Sequence, residues 1–233
     1  MPGSYNQVYG YWHIYQMFAI SRIQVNGSWS STLSGSGTNF YDMTSLALLT
    51  NRETAGRTIT WTNTRLYVTF GWIPYLSGGV IGTHRNMTLT DANWVMWRTA
   101  TATVADNDAH SIKPYKGTWS LMQSPGSSMY NDYSNTVYAD TVQTNAWGTG
   151  IGSIGWDLNP AYGGFLDYMQ DTIITPSIKL QICFRTKSDG ANRAPSGVNR
   201  SDWAADNHTT SGYRPYAKVY YGLPTPIIHG STF

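Results

Sequence analysis

Only one glutamate, Glu53, stands against twelve aspartates, and charged side chains make up 12% of the 233 residues. An ordinary soluble domain is about a quarter charged, so uncharged polar groups must keep this surface wet. A single cysteine, Cys183, excludes an intramolecular disulfide framework and leaves stability to burial or assembly. The opening stretch MPGSYNQVYGYW lacks the basic residues and apolar run of a signal peptide. No apolar run reaches the roughly 18 residues of a membrane helix, so no membrane insertion is expected.

Catalytic and metal patterns are equally scarce. The histidines at 13, 84, 110, 208 and 229 share no short ligand spacing with one another or with Cys183. Asp106 and Asp108 in VADNDAH resemble the start of a calcium loop, but the downstream glycine and bidentate glutamate are missing. No GxSxG elbow surrounds a serine, and GSGT and GTGIGSIG lack the lysine and strand–helix setting of a phosphate-binding loop. A glycosidase would need two carboxylates across a cleft, here drawn from Asp157, Asp167 and Asp171. That loop reads better as a contact surface, so the chain is expected to be neither an enzyme nor a holder of cofactor or metal.

What is abundant are strand and turn formers. Ten Trp and 17 Tyr accompany many Ser, Thr, Asn and Gly, and alternation with period two marks half-buried strands. In PSIKLQICFRTKS, Ile178, Leu180, Ile182 and Phe184 oppose Lys179, Gln181, Cys183 and Arg185. ISRIQVNGSW, TITWT, TRLYVTFGW, NWVMWR, SIKPYKGTWSLM and YAKVYYG read as further strands. DMTSLALLTNRE fits either a helix or a strand. Turn-rich runs separate these segments, and the stretches from Ser124 to Asp171 and Ser188 to Tyr213 read as long functional loops. Seven or eight two-faced strands predict an all-β fold, a single antiparallel jelly roll over residues 1–233. Residues 1–10 would form an extended N-terminal segment and 223–233 a tail.

Charge is unevenly placed. Residues 1–100 carry six Arg against three acids, 101–184 three Lys against seven Asp, and 185–233 six bases against three Asp. Rings alternating with cations suit single-stranded nucleic acid, where bases stack on aromatics while cations track phosphates. Arg22, Arg65 with Tyr67, Lys179 with Arg185, and Lys218 with Tyr216 and Tyr220 are the candidate faces. Trp147, Trp156 and Trp203 are candidate interface or receptor residues on loops, which a glycan-binding sandwich or fibre head would also use.

The order HSIKPYKGTWSLMQ, long polar loops, PSIKLQICFRTKS, another loop, then YRPYAKVYYGLPTP resembles the latter half of capsid proteins from circovirus-like single-stranded DNA viruses. Upstream, either IYQMFAISRIQVNGSW or NTRLYVTFGWIP matches the family's aromatic opening strand. The resemblance implies a subunit of the virion that assembles with copies of itself into a small icosahedral shell around single-stranded DNA, with a host glycan as a further partner. One departure stands out. Such proteins begin with an Arg-rich arm, whereas the first basic residue here is Arg22.

Overall fold

The computed structural model describes residues 8–35, 45–70, 75–76, 88–106, 111–120, 127–137, 150–157, 167–169, 171, 180–190 and 195–222. Thirteen strands occur among them: β1 Val8–Val25, β2 Ser28–Gly35, β3 Ser45–Ala55, β4 Thr58–Phe70, β5 Tyr75–Leu76, β6 Thr88–Arg98 and β7 Thr103–Val104, then β8 Ile112–Gly117, β9 Tyr133–Val137, β10 Gly152–Asp157, β11 Gln181–Thr186, β12 Val198–Ala204 and β13 Tyr216–Gly222. All of their pairings are antiparallel.

Eight of these strands obey a simple rule. Taken in chain order as β1, β4, β6, β8, β9, β10, β11 and β13, the first pairs with the last, the second with the seventh, the third with the sixth and the fourth with the fifth. This is one long hairpin wrapped into two sheets. The contacts of β13 with β6 and of β11 with β8 complete sheets ordered β1-β13-β6-β10 and β4-β11-β8-β9. The fold is therefore all-β and a jelly roll. The remaining five strands are insertions. β2 and β3 lie between the first and second strands, and β12 pairs with β3 and β7.

β1 joins the two sheets. His13 still faces Tyr216 of β13, Ile14 faces Phe70 of β4, and a register shift between Ile14 and Gln16 marks the crossing. Such a bulge adds one residue and reverses which side chains face inward. Ile14 thus packs on the main core before the crossing, and Met17 and Ala19 after it.

Burial follows alternation. Leu66, Val68 and Phe70 of β4 and Ile182 and Phe184 of β11 meet Ala92, Trp94 and Met96 of β6 and Ala217 and Val219 of β13. Trp94 sits edge-on to Phe70 at 5.0 Å and tilted against Phe184 at 5.5 Å, so this region between the sheets is filled by aromatic rings. Each such ring contributes about 2–3 kcal/mol by leaving water.

Two tight turns shape the inserted ribbon. Val25 pairs with Ser28 across Asn26 (φ 46) and Gly27 (φ 86), the two positive φ values of a type I′ hairpin. Ala55 pairs with Thr58 across Gly56 (φ 60) and Arg57, as a type II′ turn requires. The hairpins lie side by side because Asn26 donates its backbone N–H to the Ile59 carbonyl and accepts the Ile59 N–H on Oδ1. Residues 52–59 and 25–28 are exposed throughout.

Several expectations are corrected. ISRIQVNGSW is not one strand, since Asn26-Gly27 turns it back. TITWT and the start of TRLYVTFGW form one strand, β4. DMTSLALLTNRE is strand from Ser45 onward. The presumed loops contain β9, β10 and β12. Residues 8–10 belong to β1, while residues 1–7 and 223–233 lie outside the described residues.

Asp206 gives the fold a pH response. Burial raises its carboxyl to about 6, against the opposing pull of backbone N–H donors from Asp206 and Met17 and of the Arg214 charge. The folded state keeps this proton at pH values where the unfolded chain, with its Asp near 3.8, has released it. Stability therefore falls as pH rises from about 4 to about 6. Asp206→Asn keeps an acceptor for these N–H groups and should raise neutral-pH stability by roughly 2 kcal/mol. Urea titrations from pH 4 to 7 should show the slope in wild type and its loss in the variant.

Candidate nucleic-acid interface

The side of β4 and β11 turned away from the main core is also covered. Alternation places Phe18, Ile20 and Arg22 of β1, Arg65 and Tyr67 of β4, and Cys183 and Arg185 of β11 on that side. Cross-strand pairing adds Lys113 and Tyr115 of β8, directly opposite Arg185 and Cys183. Over its middle lie Trp119 and the 3-10 turn Ser127–Asn131, whose Met129 and Tyr130 form a second core with Phe18, Ile20, Tyr67 and Cys183. Tyr67 stacks on Phe18 at 5.2 Å and meets the Trp119 ring edge at 5.3 Å.

One carboxylate organises the cations. Arg65 forks onto Asp189, Nε to Oδ2 at 2.6 Å and a terminal nitrogen to Oδ1 at 2.8 Å, and Arg185 Nε reaches Oδ2 at 2.7 Å. Asp189 is held in turn by its backbone N–H on Thr186 Oγ1 at 3.3 Å. Rings cover the guanidinium groups: Arg65 lies 3.6 Å from the Tyr130 ring centre and 5.0 Å from that of Tyr133, and Arg185 lies 4.3 Å from Tyr133 and 5.0 Å from Tyr115. Arg65 and the Tyr67 hydroxyl both donate to the Tyr130 carbonyl, and Asn63 donates to the Tyr130 hydroxyl. The turn is thereby fastened to β4.

Burial alone would raise the Asp189 carboxyl, but the two guanidinium groups overcome it and hold the carboxyl below its ordinary value. Burial pushes the Cys183 thiol up to about 12, so it stays protonated and unreactive at neutral pH. The same cause raises Tyr67 and Tyr130. Among the described residues no three of His, Cys, Asp and Glu converge as metal ligands.

Arg22, Arg65, Tyr67 and Arg185 thus share one side of the second sheet, as a binding face would require, but that face is not open. Arg65 is 5% exposed, Tyr67 0% and Arg185 6%, whereas Arg22 is half-buried at the rim, 5.8 Å from the Tyr130 ring. Lys179 lies outside the described residues. Lys218 belongs to the other sheet, 5.1 Å from the Tyr220 ring, on an outward side shared with Tyr216 and Tyr11.

Of the three tryptophans, Trp147 is outside the described residues and Trp156 pairs in β10 opposite Trp94. Trp203 is no loop residue: it lies in β12, fully buried, with its indole N–H on Ser201 Oγ at 2.9 Å. Reasoning from sequence missed Asp189, Lys113, Tyr115, Tyr130 and Tyr133. Asp189, four residues beyond Arg185, carried the one local signal, an i to i+4 ion pair.

No protein-family model matches this chain, and no curated protein matches its sequence.

Proposed function

We propose that the chain is a coat subunit of a virion: a jelly roll that assembles with copies of itself into a small icosahedral shell around single-stranded DNA, without catalysis. The supporting observation is the inserted ribbon. Residues 52–59 and 25–28 are exposed, and Val25 and Ile59 at its end leave about 40% of their surface in water. Hydrogen-bonded strands without a core against them gain little from burial within their own subunit. Docked on a neighbour, they would gain it there. The low charged fraction fits the same picture, because interface centres are depleted of charge and enriched in Tyr and Trp.

The purified protein should sediment as a particle of many subunits; a monomer of 25.9 kDa at every salt concentration would overturn the reading. Ile59→Asp should preserve the circular dichroism spectrum of the subunit. It should raise the concentration needed for assembly at least tenfold, because a buried unpaired charge costs more than the roughly 1.4 kcal/mol that tenfold represents.

A second reading, a carbohydrate-binding sandwich, is favoured by the outward rings of the first sheet. Tyr11 meets Tyr216 edge-on at 5.3 Å, and Trp97 stacks on Tyr213 at 4.0 Å. Glycan-array binding by a subunit that never forms particles would favour it over the shell.

A further inference from the structure

Among the described residues Asn26 is the one non-glycine with a positive φ, and it precedes Gly27 at the exposed end of the ribbon. A side-chain amide in this setting is chemically labile, because a glycine nitrogen carries no neighbouring side chain to hinder its attack on the amide carbon. Both residues are exposed, and among the described residues nothing lies within 4 Å of where a Cβ on Gly27 would stand. Water reaches the amide. What opposes the attack is the turn itself.

The turn holds the reacting groups apart. Closing a five-membered imide requires the Gly27 nitrogen to swing beside the Asn26 side chain, whereas a type I′ turn places that nitrogen nearly opposite it. Three hydrogen bonds keep it there. Asn26 donates its N–H to the Ile59 carbonyl at 2.9 Å, the Ile59 N–H donates to Asn26 Oδ1 at 2.8 Å, and Gln24 Nε2 donates to the Gly27 carbonyl at 3.0 Å. The second of these grips the amide that would react. Conversion therefore requires Oδ1 to leave Ile59 and Asn26 to rotate out of the turn, a local opening of an exposed ribbon.

We propose that Asn26 is a modification site gated by this lock: opening of the ribbon lets it deamidate, and the product keeps the two hairpins apart. The Gly27 nitrogen gives up its proton and bonds to Asn26 Cγ; the Cγ–Nδ2 bond breaks, and Nδ2 leaves as ammonia with that proton. Water then reopens the imide. Cleavage at Cγ gives aspartate, and cleavage at the backbone carbonyl gives isoaspartate, whose chain runs through Cβ and Cγ. The isoaspartyl link adds a methylene to a two-residue loop whose length fixes the hairpin register. It also turns the acceptor of the Ile59 N–H into a backbone carbonyl. The step is one-way, so a ribbon that has converted cannot relock. The inference concerns the single subunit and holds whether or not it assembles.

The test is peptide mapping by mass spectrometry of the full chain aged at mildly alkaline pH, native and in urea, with isoaspartate scored by enzymatic methylation. Particles and free subunits are separated by sedimentation first, so assembly does not enter the comparison. Residue 26 should convert in the native chain at least about tenfold more slowly than in urea, where the turn is open. Ile59→Pro removes the donor to Oδ1 and should speed native conversion about fivefold, the worth of one net hydrogen bond, with the rate in urea unchanged. In converted wild type, trypsin should cut after the exposed Arg57 several times faster than in fresh protein. Ageing should not change that cut in Asn26→Gly, which keeps a Gly-Gly turn and has no amide to lose. Native conversion as fast as in urea, or unmoved by Ile59→Pro, would overturn the gate. No native conversion while the urea sample converts would overturn the site, and unchanged cleavage after Arg57 in converted protein would overturn the unlocking.

Discussion

Asp189→Asn should lower the unfolding free energy by about 3–5 kcal/mol, the penalty for breaking a buried ion pair from one side. Arg65 and Arg185 would lose the carboxylate they share, and their side chains are over nine-tenths buried. For a chain of this length that is a fall in Tm of roughly 10 °C. The loss should be larger than that from Arg200→Ala, whose pairing with Asp202 joins an arginine about half exposed and is worth at most about 1 kcal/mol. The pH dependence supplies a second signature. Because the Asp189 carboxyl is held below 3.8 in the folded state, it contributes stability above that pH and loses it as pH falls through the folded value. Urea unfolding at pH 3 to 7 should show this acid limb in wild type and not in Asp189→Asn. Replacing Arg65, Arg185 and Asp189 together by apolar residues of similar size should recover most of the stability, as expected when the cost lies in the orphaned charge.

This cluster also marks where sequence reading stopped. In QICFRT the alternation was legible and correct: Ile182 and Phe184 face the main core, while Cys183 and Arg185 face the other way. The character of the second side was not legible. All six residues are buried, because Trp119, Met129 and Tyr130 come from some sixty residues earlier to cover it. Period-two alternation reports which side chains share a side; it does not report what lies over them. A polar residue against a satisfied buried partner gives the same pattern as one in water.

The missed strands have a related cause. β12 reads VNRSDWA, and its inward residues include Asn199 and Ser201, each fully buried. Asn199 accepts the Asp106 N–H and donates to the Gly197 carbonyl, and Ser201 accepts the Trp203 indole N–H. Hydrogen bonds fill places where a sequence reader looks for Val or Ile. In β4 the buried Asn63 and Thr64 interrupt the apolar pattern in the same way, which is why one 13-residue strand read as two. The Asn26-Gly27 turn was missed as well, because ISRIQVNGSW was read as one strand, although that dipeptide between alternating residues is a strong hairpin signal. The overall fold was accessible because β4, β6, β8, β11 and β13 carry alternating patterns, and these supply five of the eight jelly-roll strands.

Gly117→Ala should be nearly as damaging as loss of Asp189, for a steric reason. A Cβ at position 117 would overlap the six-membered ring of Trp119 and stand 2.7 Å from the Cβ of Gln181. The ring is not a flexible end that can swing aside. It meets Tyr67 and Phe18 edge to face, its indole N–H reaches Thr69 Oγ1 at 3.3 Å, and its carbonyl accepts from the Gln181 side chain at 3.0 Å. Relief therefore requires Trp119 to leave its seat, forfeiting about 3–5 kcal/mol, the usual cost of removing a core tryptophan. Cys183 supplies a local readout. Its thiol is fully buried beneath this second core and protonated at neutral pH, so wild type should react with an aromatic disulfide reagent only as fast as it opens. In Gly117→Ala the thiol should react at least tenfold faster while the main core, reported by Trp94 between the sheets, keeps its near-ultraviolet circular dichroism. Equal thiol reactivity in the two proteins would show that Trp119 does not seal this side of the sheet.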